Sequence, residues 1–153
     1  MHNLLLALII PVILGIAALV VMSCKTPAPT VQLMDGKWRP CPDTPNCVSS
    51  ESDVAASRVA PFAFTGAPDK AWDRIRQAVL ATGGQIQAEQ DGHLWATYTS
   101  RVFRFVDDLE LRLEPSAGVI HVRSASRVGR SDLGVNRKRV EKLRRQMNPV
   151  RSK

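Results

Sequence analysis

Leu109, Leu111 and Leu113 alternate with Glu110, Arg112 and Glu114, and Pro115-Ser116-Ala117-Gly118 then turns the chain into Val119 to Arg123. Period-two alternation on either side of a turn commits this stretch to an antiparallel hairpin. A four-residue loop pairs Glu114 with Val119. Stepping outward, Leu113 faces Ile120, Arg112 faces His121, Leu111 faces Val122 and Glu110 faces Arg123. Apolar meets apolar, and Glu110 meets an opposite charge. A slip of one residue would destroy both matches, so the register is strongly specified. His121 becomes a sheet-face residue, with no catalytic role implied.

The flanking segments extend this unit. Pro61-Phe62-Ala63-Phe64 reads as a short edge strand, where a proline is tolerated. Ile86 and Ala88 alternate with polar neighbours up to an Asp91-Gly92 turn, and His93 to Ser100 alternates again. A helix starts near Pro68-Asp69 and carries Ala71, Trp72, Ile75, Ala78 and Val79 on one face, with Gly83-Gly84 at its end. A second helix spans about Val135 to Met147, with Val140, Leu143 and Met147 as a narrow apolar stripe among basic residues. Val48 to Ser52 is polar and reads as surface loop. The expected fold class is α+β: a small antiparallel sheet of about four strands with two helices packed on one face.

Leu4 to Met22 is apolar or small throughout, at the border between a signal-peptide core and a membrane span. Val21-Met22-Ser23-Cys24 resembles a bacterial lipobox, in which Cys24 would receive lipid. Met-His-Asn lacks the basic residues of a signal peptide, so an uncleaved anchor helix is the alternative. Residues 1–23 are therefore a lipoprotein signal peptide or a membrane anchor. Residues 24–40 form a proline-containing tether with Trp38 available to dock, 41–147 a single domain, and 148–153 a tail. Either reading attaches the protein to a membrane, and the lipoprotein reading places the domain outside the cytoplasm of a bacterial envelope.

With Cys24 lipidated, Cys41 and Cys47 remain as an even pair in an oxidising compartment, which favours a disulfide. Behind an uncleaved anchor, Lys25, Lys37 and Arg39 would favour a cytoplasmic domain with both thiols reduced. Three dispersed histidines supply no zinc set, and the sequence implies no cofactor.

The net charge of +7 is concentrated at one end. Cys24 to Ser100 holds 7 basic and 8 acidic side chains, whereas Arg101 to Lys153 holds 14 basic and 6 acidic. Such a bias favours an anionic partner, either a lipid surface or a smaller ligand, and a protein partner stays open. Nucleic acid is disfavoured, because an exported domain seldom meets it.

Three segments carry unusual chemistry: F-R-F-V-D-D-L-E from Phe103, R-S-A-S-R-V-G from Arg123, and S-D-L-G-V-N-R-K-R-V from Ser131. With C-P-D-T-P-N-C-V-S-S from Cys41, they resemble the bacterial and plastid family catalogued as domain of unknown function 1499, over Cys41 to Met147. Arg130 stands where similar members often carry an aromatic residue. The resemblance implies envelope or membrane-associated members and supplies no activity.

Read directly, Asp107, Asp108 and Glu110 form an acidic cluster that suits ion pairs with Arg127, Arg130 or Arg123, or an anion pocket, or a hard cation. Ser124, Ser126, Arg127, Asp132, Arg137 and Arg139 are candidates for an anion or ligand site beside the last helix. Hydrolase signatures are absent, and no catalytic residue is assigned. The sequence favours a membrane-tethered, non-catalytic binding module. The alternative is an enzyme on an envelope substrate, in a pocket around Asp108, Ser126, Arg127 and Asp132.

Overall fold

A computed structural model describes residues 2–25, 33–34, 36–101 and 103–147, with side chains 8–22 described in the first of these. The side chain of Cys24, residues 26–32 and 35 of the tether, and the tail lie outside the described residues. The element order is α1 (His2–Lys25), β1 (Cys47–Ser49), β2 (Phe62–Ala63), α2 (Pro68–Ala81), β3 (Gln85–Gln90), β4 (His93–Thr99), β5 (Val106–Glu114), β6 (Val119–Ser126) and α3 (Val135–Met147), with a short 3-10 turn at Pro115–Ala117.

The hairpin forms in the register that the alternation requires. Glu114 pairs with Val119, Leu113 with Ile120, Arg112 with His121, Leu111 with Val122 and Glu110 with Arg123. Around it stands a six-stranded antiparallel sheet of order β1-β6-β5-β4-β3, with β2 also on β6. The class is α+β as expected, but the sheet is larger than four strands. Two short strands complete the edge of β6: β1 beside Arg123 to Ala125, and β2 beside Val119 and Ile120. The segment expected to be a surface loop from Val48 thus begins as strand. Val48 sits in the core while Cys47 and Ser49 are buried on the opposite face. Three residues are too few to display a period, which is why this edge is silent in the sequence.

One face of the sheet is apolar. Leu94, Ala96, Leu109, Leu111, Ile120 and Val122 meet Ala71, Ile75 and Val79 of α2 and Val140, Leu143 and Met147 of α3. Each large side chain buried here contributes roughly 1.5–3 kcal/mol. Trp72 lies at the margin of this core, its indole N–H donating to Glu89 at 2.8 Å. After α2 the chain must pass very close to Tyr98. A Cβ on Gly84 would lie 2.7 Å from Val79 Cγ1 and 2.8 Å from the Tyr98 ring, so glycine is required there.

The other face is polar, and the segment from Gly36 to Cys47 crosses it. Trp38 docks with 4% exposure, its ring edge-on to His93 at 6.0 Å. Cys41 and Cys47 are joined in a disulfide with Cα atoms 5.6 Å apart. A loop this short contributes roughly 2–2.5 kcal/mol in the chain-entropy account.

α1 is separate in character. Leu8, Ile9, Ile10, Val12, Ile13, Leu14, Val21 and Met22 are exposed, and none of its described residues belongs to the core. Among the described residues, no helix is long and apolar enough to cross a membrane.

Candidate functional site

Neighbouring residues of a strand point to opposite faces, and this divides the acidic cluster of β5. Asp107 shares the helix-covered face with Leu109 and Leu111, while Asp108, Glu110, Arg112 and Glu114 occupy the polar face. There the carboxylates and guanidiniums form an ion layer. Arg123 Nη1 donates to Glu110 Oε2 at 2.7 Å, and Arg39 approaches the same oxygen at 3.5 Å. Arg127 grips Asp108 with two parallel bonds of 2.9 Å, and the Trp95 indole N–H adds a third at 2.8 Å. Arg112 bridges Glu51 at 2.5 Å and Glu114 at 2.7 Å. Glu110 is 1% exposed and Arg123 4%. Burial lowers the proton affinity of Arg123, with the Glu110 carboxylate opposing that shift.

Asp107 belongs to a second cluster, between the sheet and α3. Arg139 Nη2 donates to Asp107 at 2.6 Å, and its guanidinium lies 4.5 Å over the Tyr98 ring. Burial raises the Tyr98 pKa, with the Thr82 hydrogen bond and Arg139 opposing. Ser124 donates to Asn136 Oδ1 at 2.6 Å, and Arg139 bonds both Ser124 and that same oxygen. Asn136 Nδ2 donates to Asn46 O at 3.0 Å and Ser126 Oγ at 3.1 Å. Asp132 caps α3, accepting from the backbone N–H groups of Gly134 and Asn136. Arg137 donates to the carbonyls of Arg58 and Ala56.

The sequence candidates are therefore distributed. Ser124, Ser126 and Arg139 converge with Asp107 on the α3 side. Asp108, Arg127 and Glu110 lie on the opposite face, and Asp132 and Arg137 serve backbone groups. The four residues of the enzymatic alternative do not converge on one pocket: Asp108 and Arg127 are paired on the polar face, Ser126 bonds Asn136, and Asp132 caps the helix. Asp108 pairs with Arg127, one of the partners its charge suggested, but Asp107 pairs with Arg139, 32 residues away. Asn136 and Asn46 were missed. Asn136 did carry a signal, because it stands 4, 7 and 11 residues before Val140, Leu143 and Met147, on the same helical stripe.

Residues 37–147 match the profile of the family described as Protein of unknown function (DUF1499). The chain belongs to this family. No curated protein and no solved structure matches. The three sequence segments typical of this DUF1499 chain thus supply the ion layer on one face and the Asn136 cluster on the other.

A polar cleft of about 540 Å³ in the DUF1499 domain is lined by Lys37, Ser50, Glu51, Arg112, Glu114 and His121, among others. His121 Nδ1 lies 3.2 Å from Ser50 Oγ and 3.7 Å from Glu51. Ser50 Oγ also accepts from the Val122 N–H at 2.9 Å, which pins it to the sheet. Glu51 favours protonation of His121, but burial is the larger effect and, with Arg112 and Lys37, lowers its pKa below the ordinary 6.5. In the unfolded chain His121 therefore binds a proton more readily than in the fold. Stability is expected to fall as pH drops through about 6.5 toward the depressed folded value. Urea unfolding between pH 7.5 and 5 should show this loss, and His121→Gln should flatten it. A wild-type profile with no loss, or a slope unchanged by His121→Gln, would remove His121 as its source.

Among the described residues, the unpaired charge of the last third is exposed. Its six acids are all engaged: Asp107, Asp108, Glu110, Glu114 and Glu141 by arginines, and Asp132 by the α3 backbone. Arg101, Arg104, Arg130, Lys138, Lys142 and Arg145 are exposed and hold no partner among the described residues. Lys138, Lys142 and Arg145 follow helical spacing along the outer side of α3.

Proposed function

We propose that this DUF1499 chain is a membrane-tethered domain of the bacterial cell envelope that binds an anionic surface without catalysis. The observation that carries the reading is the division of charge just described. Each acid of residues 101–147 is engaged, five by arginines and Asp132 by the α3 backbone, while six exposed cations hold no partner among the described residues. The field outside is therefore positive although the ion pairs inside are balanced. Attachment would come through Cys24 or through the apolar helix α1.

The test must avoid Arg139, whose removal would break the Asp107 cluster and confuse folding with binding. Lys138, Lys142 and Arg145 have no partner among the described residues and are the right positions. A chain beginning at Leu33 retains the whole core, which is built within Val48 to Met147, and removes the anchor. On vesicles containing phosphatidylglycerol it is expected to sediment with the lipid, and less so as salt rises. Each surface cation contributes about 1 kcal/mol near such a membrane, so the K138E/K142E/R145E variant should bind at least tenfold more weakly. Equal binding to neutral vesicles, or a triple variant that binds like wild type, would overturn the reading.

A further inference from the structure

Two loops leave the same end of the β5–β6 pair: residues 100–105 before β5 and residues 127–134 after β6. Their roots are joined by the Arg127 N–H, which donates to Val106 O at 3.2 Å. Three non-glycine residues have positive φ among the described residues. Asp91 (49°) lies in a tight Asp-Gly turn, where such geometry is ordinary; the other two, Arg104 (56°) and Leu133 (54°), lie in these loops. A leucine in the left-handed region is uncommon and strained. Leu133 is also 85% exposed, so packing does not offset that strain.

Both loops carry internal hydrogen bonds among their described residues. Ser100 closes the first, its N–H donating to Phe105 O, its carbonyl accepting from Arg104 and its hydroxyl accepting from Phe105. Ser131 accepts from the Leu133 N–H, and Asp132 accepts from Gly134 and Asn136. The fold thus presents Leu133 outward beside Val135, which is 45% exposed. Phe103, also 45% exposed, stacks on Phe105 at 5.8 Å. Arg101, Arg104 and Arg130 lie in the same two loops, exposed and without partners among the described residues. Asp132 is the one acid in the two loops, and both its oxygens are occupied by backbone N–H groups.

Exposed apolar side chains sharing two loops with exposed arginines, the one carboxylate there being held by backbone N–H groups, match the chemistry of an anionic bilayer surface. A second copy of the chain is a poor occupant, because a two-fold contact would bring the same cationic loops together. Resting on the anionic-surface reading above, we infer that this end of the domain is a lipid-docking tip. Phe103 and Leu133 enter the boundary between headgroups and acyl chains, and Arg101, Arg104 and Arg130 contact lipid phosphates. The covalent geometry allows it: the 11 residues between Lys25 and Lys37 reach about 40 Å at most, which leaves a domain attached at α1 free to turn this end toward the membrane.

The strain at Leu133 supplies a test that separates docking from folding. Asparagine tolerates positive φ better than leucine, so Leu133→Asn should leave Tm unchanged or raise it. On the chain from Leu33, that substitution should weaken sedimentation with phosphatidylglycerol vesicles about threefold, and adding Phe103→Ser should bring the loss to at least tenfold. Amide exchange in residues 100–105 and 127–134 should slow on these vesicles and not on neutral phosphatidylcholine. If the double variant bound like wild type while K138E/K142E/R145E lost binding, the tip would be overturned and the anionic-surface reading would stand. If the wild type bound no vesicle, both would fall. Self-association abolished by L133N/F103S, with vesicle binding intact, would make this end a contact between copies and overturn the lipid assignment.

Discussion

Glu110→Gln is expected to destabilise the domain by about 3–5 kcal/mol, the usual cost of removing one member of a buried ion pair. Arg123 would keep its charge with its side chain 5% exposed. Its Nε is already buried without a hydrogen-bond partner among the described residues. Arg39 offers no relief, since it approaches the same carboxylate and carries the same sign. A domain of this size has a total stability of about 5–15 kcal/mol, so the variant should unfold at far lower urea. Replacing both members with apolar residues, Glu110→Leu with Arg123→Met, should recover most of the loss, because no charge then remains to be desolvated. A loss below about 1 kcal/mol for Glu110→Gln would mean that water reaches Arg123 and that the ion layer is not sealed.

This pair was legible in the sequence for a physical reason. Period-two alternation, a turn of fixed length and opposite charges at matching positions determine a hairpin locally, and β5 and β6 pair in that register from Glu110–Arg123 to Glu114–Val119. The last helix was legible for a related reason, since a stripe of Val140, Leu143 and Met147 permits one buried side. What escaped were several contacts with no local period. The edge strand at Cys47–Ser49 is too short to alternate. Ser50 meets His121 across 71 residues, and Arg139 reaches Asp107 across 32. Charge alone could not separate Asp107 from Asp108. The pleat does so, by assigning adjacent residues to opposite faces.

Asn136→Ala is the second large effect, expected at about 2–4 kcal/mol, and it bears on what the Asn136 cluster is for. The side chain is 0% exposed and uses both ends of its amide. Its Nδ2 ties α3 to Asn46 and Ser126, and its Oδ1 accepts from Ser124 and Arg139. Asn46 O would keep its bond from the Ser126 N–H, so that carbonyl is not orphaned. The Ser124 hydroxyl would lose its acceptor in a fully buried position, and each such loss costs about 1–3 kcal/mol. Asn136→Leu would fill the space and leave the same groups unsatisfied, so it should not restore stability. Urea unfolding of both variants, with amide exchange in the first turn of α3, measures the effect. Vesicle binding by the folded fraction should be unchanged, because neither the tip nor the Lys138, Lys142 and Arg145 stripe involves this amide. A loss under about 0.5 kcal/mol would mean that Asn136 is not needed to satisfy its neighbours. Ser124, Ser126 and Arg139 would then have capacity for a ligand, and the anion site suggested by their sequence would regain its standing.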